Sequence, residues 1–312
     1  DAYTFEDLFQ GVKALLWGDI LGEKDKFTIT GKSVRSQLFS VSDCQAITKK
    51  AIVEKLKEKY HAEWFEETGV EYKIQVGILK DRVTIAIDTT GPGLNKRGYR
   101  ENSVAAPLKE TMAHALIDLS VWRDNRLLAD PMCGSGTILI EAAMKSRNLA
   151  PGLKRSFSAE NWPFIPDDIW KEARASAVEK AMPNKPLTLM GSDIDESAVE
   201  QARYNAEIAG VGDCIKFTAK PLSEFKSSED YGVLISNPPY GERIGDYSDI
   251  EYIYKDIKRF LSSNGTWSVY LLTTNEETEK MLGRKADKKR KLYNGNIKTD
   301  YYQFLGPRPP RA

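Results

Sequence analysis

Histidine, cysteine, net charge and long apolar runs are all scarce in this chain, and each scarcity closes off a class of function. Two histidines, His61 and His114, and three cysteines, Cys44, Cys133 and Cys214, occur in 312 residues. The cysteines are odd in number, far apart and without a Cys-x-x-Cys pair, which argues against a structural zinc site and for a reducing compartment; no metal is expected. Lys plus Arg equals Asp plus Glu at 45 each, so no overall field announces a polyanionic partner, and any nucleic-acid surface must be a local patch. No apolar run approaches the roughly 20 residues that span a bilayer. The amino terminus lacks a basic-then-apolar signal, and the reading is a cytoplasmic protein with no membrane partner. The chain opens Asp1-Ala2-Tyr3-Thr4-Phe5 without an initiator Met, so a fragment lacking an amino-terminal element is expected. Its length suits two domains, each with enough apolar content for a core.

What is present divides at a stretch rich in glycine and proline. Phe5, Leu8, Phe9, Val12, Leu15, Leu16 and Trp17 have helical spacing ended by Gly18-Asp19. Two short strands follow, 27–30 ending at Gly31 and 33–39. A helix from Asp43 to Tyr60 has lysines on its outer stripe, and strands at 72–79 and 83–88 close a small α+β unit. Residues 1–92 are thus a first domain and 93–107 a linker, in which Lys96, Arg97 and Arg100 surround Tyr99. Basic side chains interleaved with an aromatic suit phosphate contact and base stacking; a plain tether is the alternative. Residues 108–312 form a second domain in which strands and helices alternate, the pattern of a doubly wound parallel sheet.

Three motifs in that domain carry chemistry. Leu127–Ala129 runs into Asp130-Pro131-Met132-Cys133-Gly134-Ser135-Gly136-Thr137 and then a helix. Gly134 and Gly136 let backbone approach a ligand at a helix start, yet position 139 is Leu and no Walker lysine follows, so a pyrophosphate is not the best ligand. An acidic Asp130 suits a ligand bearing an ammonium group. After an interruption at 150–186, rich in Pro and Trp, a second strand ends in Asp193-Ile194-Asp195, with Asp193 placed to accept both ribose hydroxyls of a nucleoside; Asp195 reads as a helix cap. The fourth strand stops at Asn237-Pro238-Pro239-Tyr240, because neither proline can donate to a ladder. An Asn oxygen, a backbone carbonyl and a ring at one rigid corner fit a planar heteroaromatic amine. Cys133 reads as a buried small residue rather than a nucleophile. A tail hairpin across Asn294-Gly295 adds an antiparallel edge. Before it stand Arg284, Lys285, Lys288, Lys289, Arg290 and Lys291, read as a phosphate-contacting rim, with a solvated loop as the alternative.

All three motifs fall at carboxyl ends of strands, and together they resemble class I S-adenosylmethionine-dependent methyltransferases of the amino-methylating group. A narrower resemblance covers nearly the whole chain. Residues 25–90 are similar to a THUMP domain, an RNA-binding module. Leu94-Asn95-Lys96-Arg97-Gly98-Tyr99-Arg100 with Ala106-Pro107-Leu108-Lys109-Glu110 resembles the joint of THUMP-containing methyltransferases. The Asp130–Thr137 loop with Glu141-Ala142-Ala143, the Trp162 segment and Asn237-Pro238-Pro239-Tyr240-Gly241-Glu242-Arg243 resemble the bacterial large-subunit ribosomal RNA guanine-N2 methyltransferases.

The resemblance implies an α/β chain: a small α+β THUMP domain, then a Rossmann-like domain with a mostly parallel seven-stranded sheet. It implies S-adenosylmethionine as cofactor, held by Asp130, Pro131, Cys133, Gly134, Ser135, Gly136, Asp193, Ile194 and Asn237, with Asn237, Pro238, Pro239 and Tyr240 gripping the target amine. It implies RNA, ribosomal RNA first, as partner, and the basic stretches read above supply its expected contacts, Lys96, Arg97, Tyr99, Arg100, Lys288 and Lys289. Transfer RNA guanosine and DNA adenine are the alternative substrates. The oligomeric state stays open. The family often has an acidic residue near the adenine after strand three; this chain has Ala219-Lys220-Pro221, leaving the Lys220 backbone or Leu222 as the expected substitute.

Overall fold

The computed structural model describes residues 1–100, 108–239 and 247–310, and of 247–249 the backbone alone. It divides into two units. The first comprises residues 1–93 and 156–173. Helix α1 (Phe5–Lys13) starts at a capping box in which Thr4 Oγ1 accepts from Asp7 N and Asp7 Oδ2 accepts from Thr4 N, satisfying two backbone donors that the helix itself leaves free. Strands β1 (Lys26–Val34), β2 (Glu71–Leu79) and β3 (Arg82–Ile87) form a sheet in that order, with helix α2 (Val41–Tyr60) as the crossover between parallel β1 and β2.

Here the expected pair of strands is one: β1 runs on through Gly31 to Val34. A Cβ at Gly31 would lie 2.9 Å from Gln45 Cγ and 3.0 Å from Val41 Cγ1, so the glycine serves close packing of α2 on the sheet rather than a strand end. Tyr72, Ile74, Val76 and Ile78, alternate residues of β2, are buried in the core, as period-2 side chains of a half-covered sheet must be. The β2–β3 turn uses Lys80 and Asp81, both at positive φ, 51° and 63°, the pair of left-handed residues that matches strand twist.

Part of the 150–186 interruption also belongs to this core. Trp162 stacks on Tyr72 at 5.1 Å with planes 23° apart, Phe157 stacks on Trp170 at 5.9 Å, and Ala159 N donates to Thr89 O. Stacked rings of this size bury large apolar area and add about 0.5–1.5 kcal/mol per pair beyond it.

The second unit, residues 94–155 and 174–312, holds α3 (Glu110–Asp118), β4 (Leu128–Asp130), α4 (Thr137–Ser146), β5 (Leu189–Asp193), α6 (Glu196–Ala209), β6 (Ile215–Ala219), β7 (Val233–Ser236), α7 (Tyr247–Ser263), β8 (Ser268–Thr273), α8 (Thr278–Leu282), β9 (Lys288–Asn294) and β10 (Ile297–Phe304). Helix α5 (Asp167–Glu179) crosses the division in sequence. The seven strands are ordered β6-β5-β4-β7-β8-β10-β9; β4 to β8 pair in parallel and β10 is antiparallel to both neighbours. Lys288 to Lys291 of the basic run therefore begin the edge strand β9, while Arg284 and Lys285 precede it.

Central strands are apolar along their interior positions because both faces are covered, with Asp130, Ser236, Ser268 and Thr273 at their ends. Leu128, Val233, Ile235, Tyr270, Leu272 and Tyr301 enter one core, while Ala129, Leu234, Val269, Leu271, Tyr302 and Phe304 enter the other. Fully burying one Val, Leu or Ile side chain contributes about 1.5–3 kcal/mol, so this continuous apolar run fixes the strands as central. Consecutive strands β4, β5 and β6 run outward one way, and β7 turns back to the other side of β4. That reversal opens a crevice at the carboxyl ends of β4 and β7.

Candidate active site

Asp130 ends β4 and Ser236 ends β7, and the Ser236 Oγ hydroxyl donates to Asp130 Oδ1 at 2.6 Å. Met132 N donates to the same oxygen at 3.2 Å. Burial pushes the Asp130 carboxyl up to about 7, with the Asp193 charge adding to it and the two hydrogen bonds opposing. A single bond thus ties the glycine loop to the residue that precedes Asn237.

The loop itself is pinned at four points: Cys133 N donates to Ser192 O at 2.9 Å and Gly136 N to Cys133 O at 2.8 Å, Gly134 N to Asp193 Oδ2 at 2.8 Å, and Asn205 Nδ2 to Ser135 O at 3.0 Å. Both glycines have left-handed backbone, Gly134 at φ 48° and Gly136 at φ 80°, but their surroundings differ. A Cβ at Gly136 would stand 3.0 Å from both Ala202 Cβ and the Phe217 ring, whereas one at Gly134 meets nothing within 4 Å. Gly136 therefore lets the helix pack, and Gly134 alone borders open space a ligand can fill. Asn205, fully buried, escaped the sequence reading; its only signal is a polar residue inside the apolar stripe Val199, Ala202, Ala206.

Asp193, half-buried at the tip of β5, accepts Gly134 N on Oδ2 and Asp195 N on Oδ1 at 3.1 Å. Each carboxylate oxygen keeps a second acceptor site, so two ribose hydroxyls fit beside these bonds. Ile194 next to it is 79% exposed, an apolar surface suited to one face of a purine. Asp195 caps α6 through Ser197 N at 2.9 Å. At the expected adenine end the Lys220 N–H is already given to Asp193 O at 2.8 Å, which leaves the carbonyl of that backbone, and Leu222 is buried in a core.

Cys133 is also buried, and burial with the Asp130 and Asp193 charges raises its thiol well above the ordinary range. It holds no thiolate for nucleophilic chemistry. Pro131 lies buried in the loop and Ser135 beside the helix start. Asn237 is half-buried, Pro238 buried and Pro239 half-buried directly after β7, while Tyr240 lies outside the described residues, as do Gly241, Glu242 and Arg243. Among the described residues no cluster of His, Cys, Asp and Glu could hold a metal ion, and no helix is long and apolar enough to cross a membrane.

The linker residues expected at RNA go elsewhere. Arg97 Nε and Nη2 donate to the two oxygens of Glu141 at 3.3 Å each, and the Tyr99 hydroxyl donates to Glu141 Oε1 at 3.3 Å. His114 Nδ1 lies 3.4 Å from Glu141 Oε2. Arg100 reaches Glu110 at 3.4 Å and the Thr137 hydroxyl at the start of α4. Tyr99 is 1% exposed, so no ring face remains for a base. Arg97, Tyr99 and Arg100 are counter-ions and packing for buried acids; only Lys96 of the four is exposed. On the edge strand, Lys288 is exposed, and Lys289 pairs with Asp300 at 3.1 Å and lies 4.6 Å from the centre of the Tyr302 ring, contacts that raise its pKa, Tyr302 foremost.

An RMKL-like methyltransferase domain model (UPF0020) matches residues 97–303, and a THUMP domain model matches residues 2–88. The chain belongs to the THUMP-containing, RMKL-like methyltransferases. A relative from Bacillus subtilis (strain 168), "Putative RNA methyltransferase YpsC", is 50% identical over 313 residues, covering 99% of this chain and 81% of that protein. A solved structure, "Crystal structure of SMU.472, a putative methyltransferase complexed with SAH", is 45% identical with a TM-score of 0.90, covering 99% of this chain and 82% of that one. A Listeria monocytogenes str. 4b F2365 structure, described as a predicted N6-adenine-specific DNA methylase, is 48% identical with a TM-score of 0.92, covering 98% and 80%. The fold expected from the sequence, a THUMP domain ahead of a largely parallel seven-stranded sheet, is the one this chain has.

Proposed function

We propose that this protein transfers a methyl group from S-adenosylmethionine to the exocyclic N2 amine of a guanosine in RNA, with large-subunit ribosomal RNA as the substrate. The observation that carries the reading is the Ser236–Asp130 bond, which joins the cofactor loop to the double-proline corner at neighbouring strand ends. The residues fit the cofactor. Asp193 has acceptor capacity for ribose, Gly134 leaves room for the methionine portion, Ile194 offers an apolar face, and Asp130 supplies a carboxylate for the ammonium group. The related SMU.472 protein holds SAH, and the Bacillus relative is named for RNA.

Bound there, S-adenosylmethionine supplies a methyl carbon on a sulfonium leaving group. Asn237 Oδ1 and the Pro238 carbonyl accept the two amine hydrogens, holding the nitrogen with its lone pair directed at that carbon. The nitrogen–carbon bond forms as the carbon–sulfur bond breaks, and the amine proton then leaves to water, so no dedicated base is required. Positioning of this kind is worth up to about 7–11 kcal/mol. A base reaches the corner only by leaving its stack, at a few kcal/mol; Tyr240 is proposed to stack on it.

Asn237→Ala should abolish transfer while calorimetry still finds cofactor binding; retained turnover would sink the amine-gripping role. Asp193→Ala should weaken cofactor affinity. The substrate is tested by mapping N2-methylguanosine in ribosomal and transfer RNA from cells lacking the protein. DNA adenine is a second reading favoured by the description of the Listeria relative, and competition between structured RNA and duplex DNA separates the two.

A further inference from the structure

The carboxyl-terminal hairpin presents an aromatic and cationic tip that the chemistry described above does not use. Tyr293, near the end of edge strand β9, is 55% exposed, and Ile297 across the turn is 44% exposed. Lys291 Nζ lies 5.5 Å from the centre of the Tyr293 ring, and Lys298 is the residue paired with Tyr293 across the ladder. The exposed run Lys288-Lys289-Arg290-Lys291 leads into this tip. Among the described residues, Asp300 pairs with Lys289 and Glu276 pairs with Lys298 at 3.3 Å. Among the described residues Lys288, Arg290 and Lys291 make no ion pair. In a chain whose charges cancel overall, this is a concentrated positive edge with an unburied ring at its end.

Sheet register places that ring relative to the crevice. Ser236 pairs with Leu271, Leu271 with Tyr302, and Tyr302 with Lys289, so Asn237 stands level with Arg290. Strands β7 and β9 run the same way. Tyr293 is therefore displaced from Asn237 by three strand spacings, about 14 Å, and by about 10 Å further toward the carboxyl edge. A short single-stranded run of nucleotides spans that distance. A π-face beside cations is how single-stranded nucleic acid is held without regard to sequence: bases stack on the ring while the phosphates meet the charges.

We infer that Tyr293 is a stacking platform for a base flanking the methylated nucleotide, with Arg290 and Lys291 beside it contacting the phosphates of the same single-stranded RNA. The inference rests on RNA being the substrate. It is tested by anisotropy titrations of the full chain against a fluorescein-labelled oligoadenylate of about a dozen nucleotides over a salt series. Tyr293→Ala should weaken binding about 5- to 100-fold with an unchanged slope of log affinity on log salt, because every phosphate keeps its cation. Tyr293→Phe should bind as the parent does. Tyr293→Lys, which adds charge but removes the ring, should lose affinity as the alanine variant does, and it decides the matter should that variant fold poorly. Unchanged affinity in Tyr293→Ala, tighter binding in Tyr293→Lys, or no binding by the parent chain would each overturn the inference. A wrong methyl-transfer assignment shows separately, as oligonucleotide binding that depends on Tyr293 without transfer to any guanosine.

Discussion

Two stretches of this chain read alike and fold to opposite ends. Lys96-Arg97-Gly98-Tyr99-Arg100 and Lys289-Arg290-Lys291-Leu292-Tyr293 both interleave cations with a tyrosine. The first turns inward, where the carboxylates of Glu141 and Glu110 take its guanidiniums and its ring enters a core. The second lies along a sheet edge, where Lys289 pairs with Asp300 while Arg290, Lys291 and the Tyr293 ring face solvent. Local composition sets what each stretch can do; whether buried acids take up both guanidiniums and a core takes the ring, or only one lysine finds an acid and the ring stays outside, decides which it does.

The comparison breaks most visibly at Arg97. Arg97→Ala leaves Glu141, 1% exposed, without its guanidinium, and removing one partner of a buried pair costs about 3–5 kcal/mol; a urea midpoint matching the parent would show that the pair is no anchor. Asp130 sharpens the contrast, because it is buried with no cation paired to it among the described residues. Its folded-state value of about 7 exceeds the unfolded value near 3.8, so the native state holds more protons between them. Stability should fall as pH rises through that window, by a few kcal/mol at most, and level off above it. Asp130→Asn should flatten that part of the urea midpoint profile against pH, and an identical profile would refute the assignment. Tyr99→Phe, losing one hydrogen bond to Glu141, should cost about 1 kcal/mol. The smallest effect on folding belongs to the other stretch: Lys288→Ala with Arg290→Ala should change the unfolding free energy measured in urea by less than about 0.5 kcal/mol. The same double variant should lower the salt slope of RNA binding by up to about 0.7 for each phosphate left without its cation. A large stability loss there, or an unchanged slope, would erase the distinction between the stretches.

Where one physical rule governs a stretch locally, sequence and structure agree. Apolar period and glycine or proline stops located the strands of the second unit to within a few residues, and the double proline ended β7 where ladder chemistry requires. Asp195 as a cap follows from side-chain length alone. Where a distant partner governs, the local rule misled. Gly31 looks like a strand end, yet its lack of a Cβ serves α2 packed above it. Gly134 and Gly136 look equivalent in a glycine loop, and only Phe217 and Ala202, both brought up by the fold, separate them. Residues 156–173 lie in sequence between α4 and β5 but bury Trp162 on Tyr72, a stacking of positions 90 residues apart.

By itself, then, the amino-acid order determined the alternating strand and helix register and the three motifs at strand ends, because propensity, periodicity and missing N–H donors act within a few residues; it did not place residues 156–173 in the first unit. Tertiary structure decided which cations face acid and which face water, which glycine borders open space, and that Ser236 reaches Asp130. Those outcomes depend on charges, side-chain volumes and desolvation contributed by segments far apart in the chain, and no local pattern encodes them.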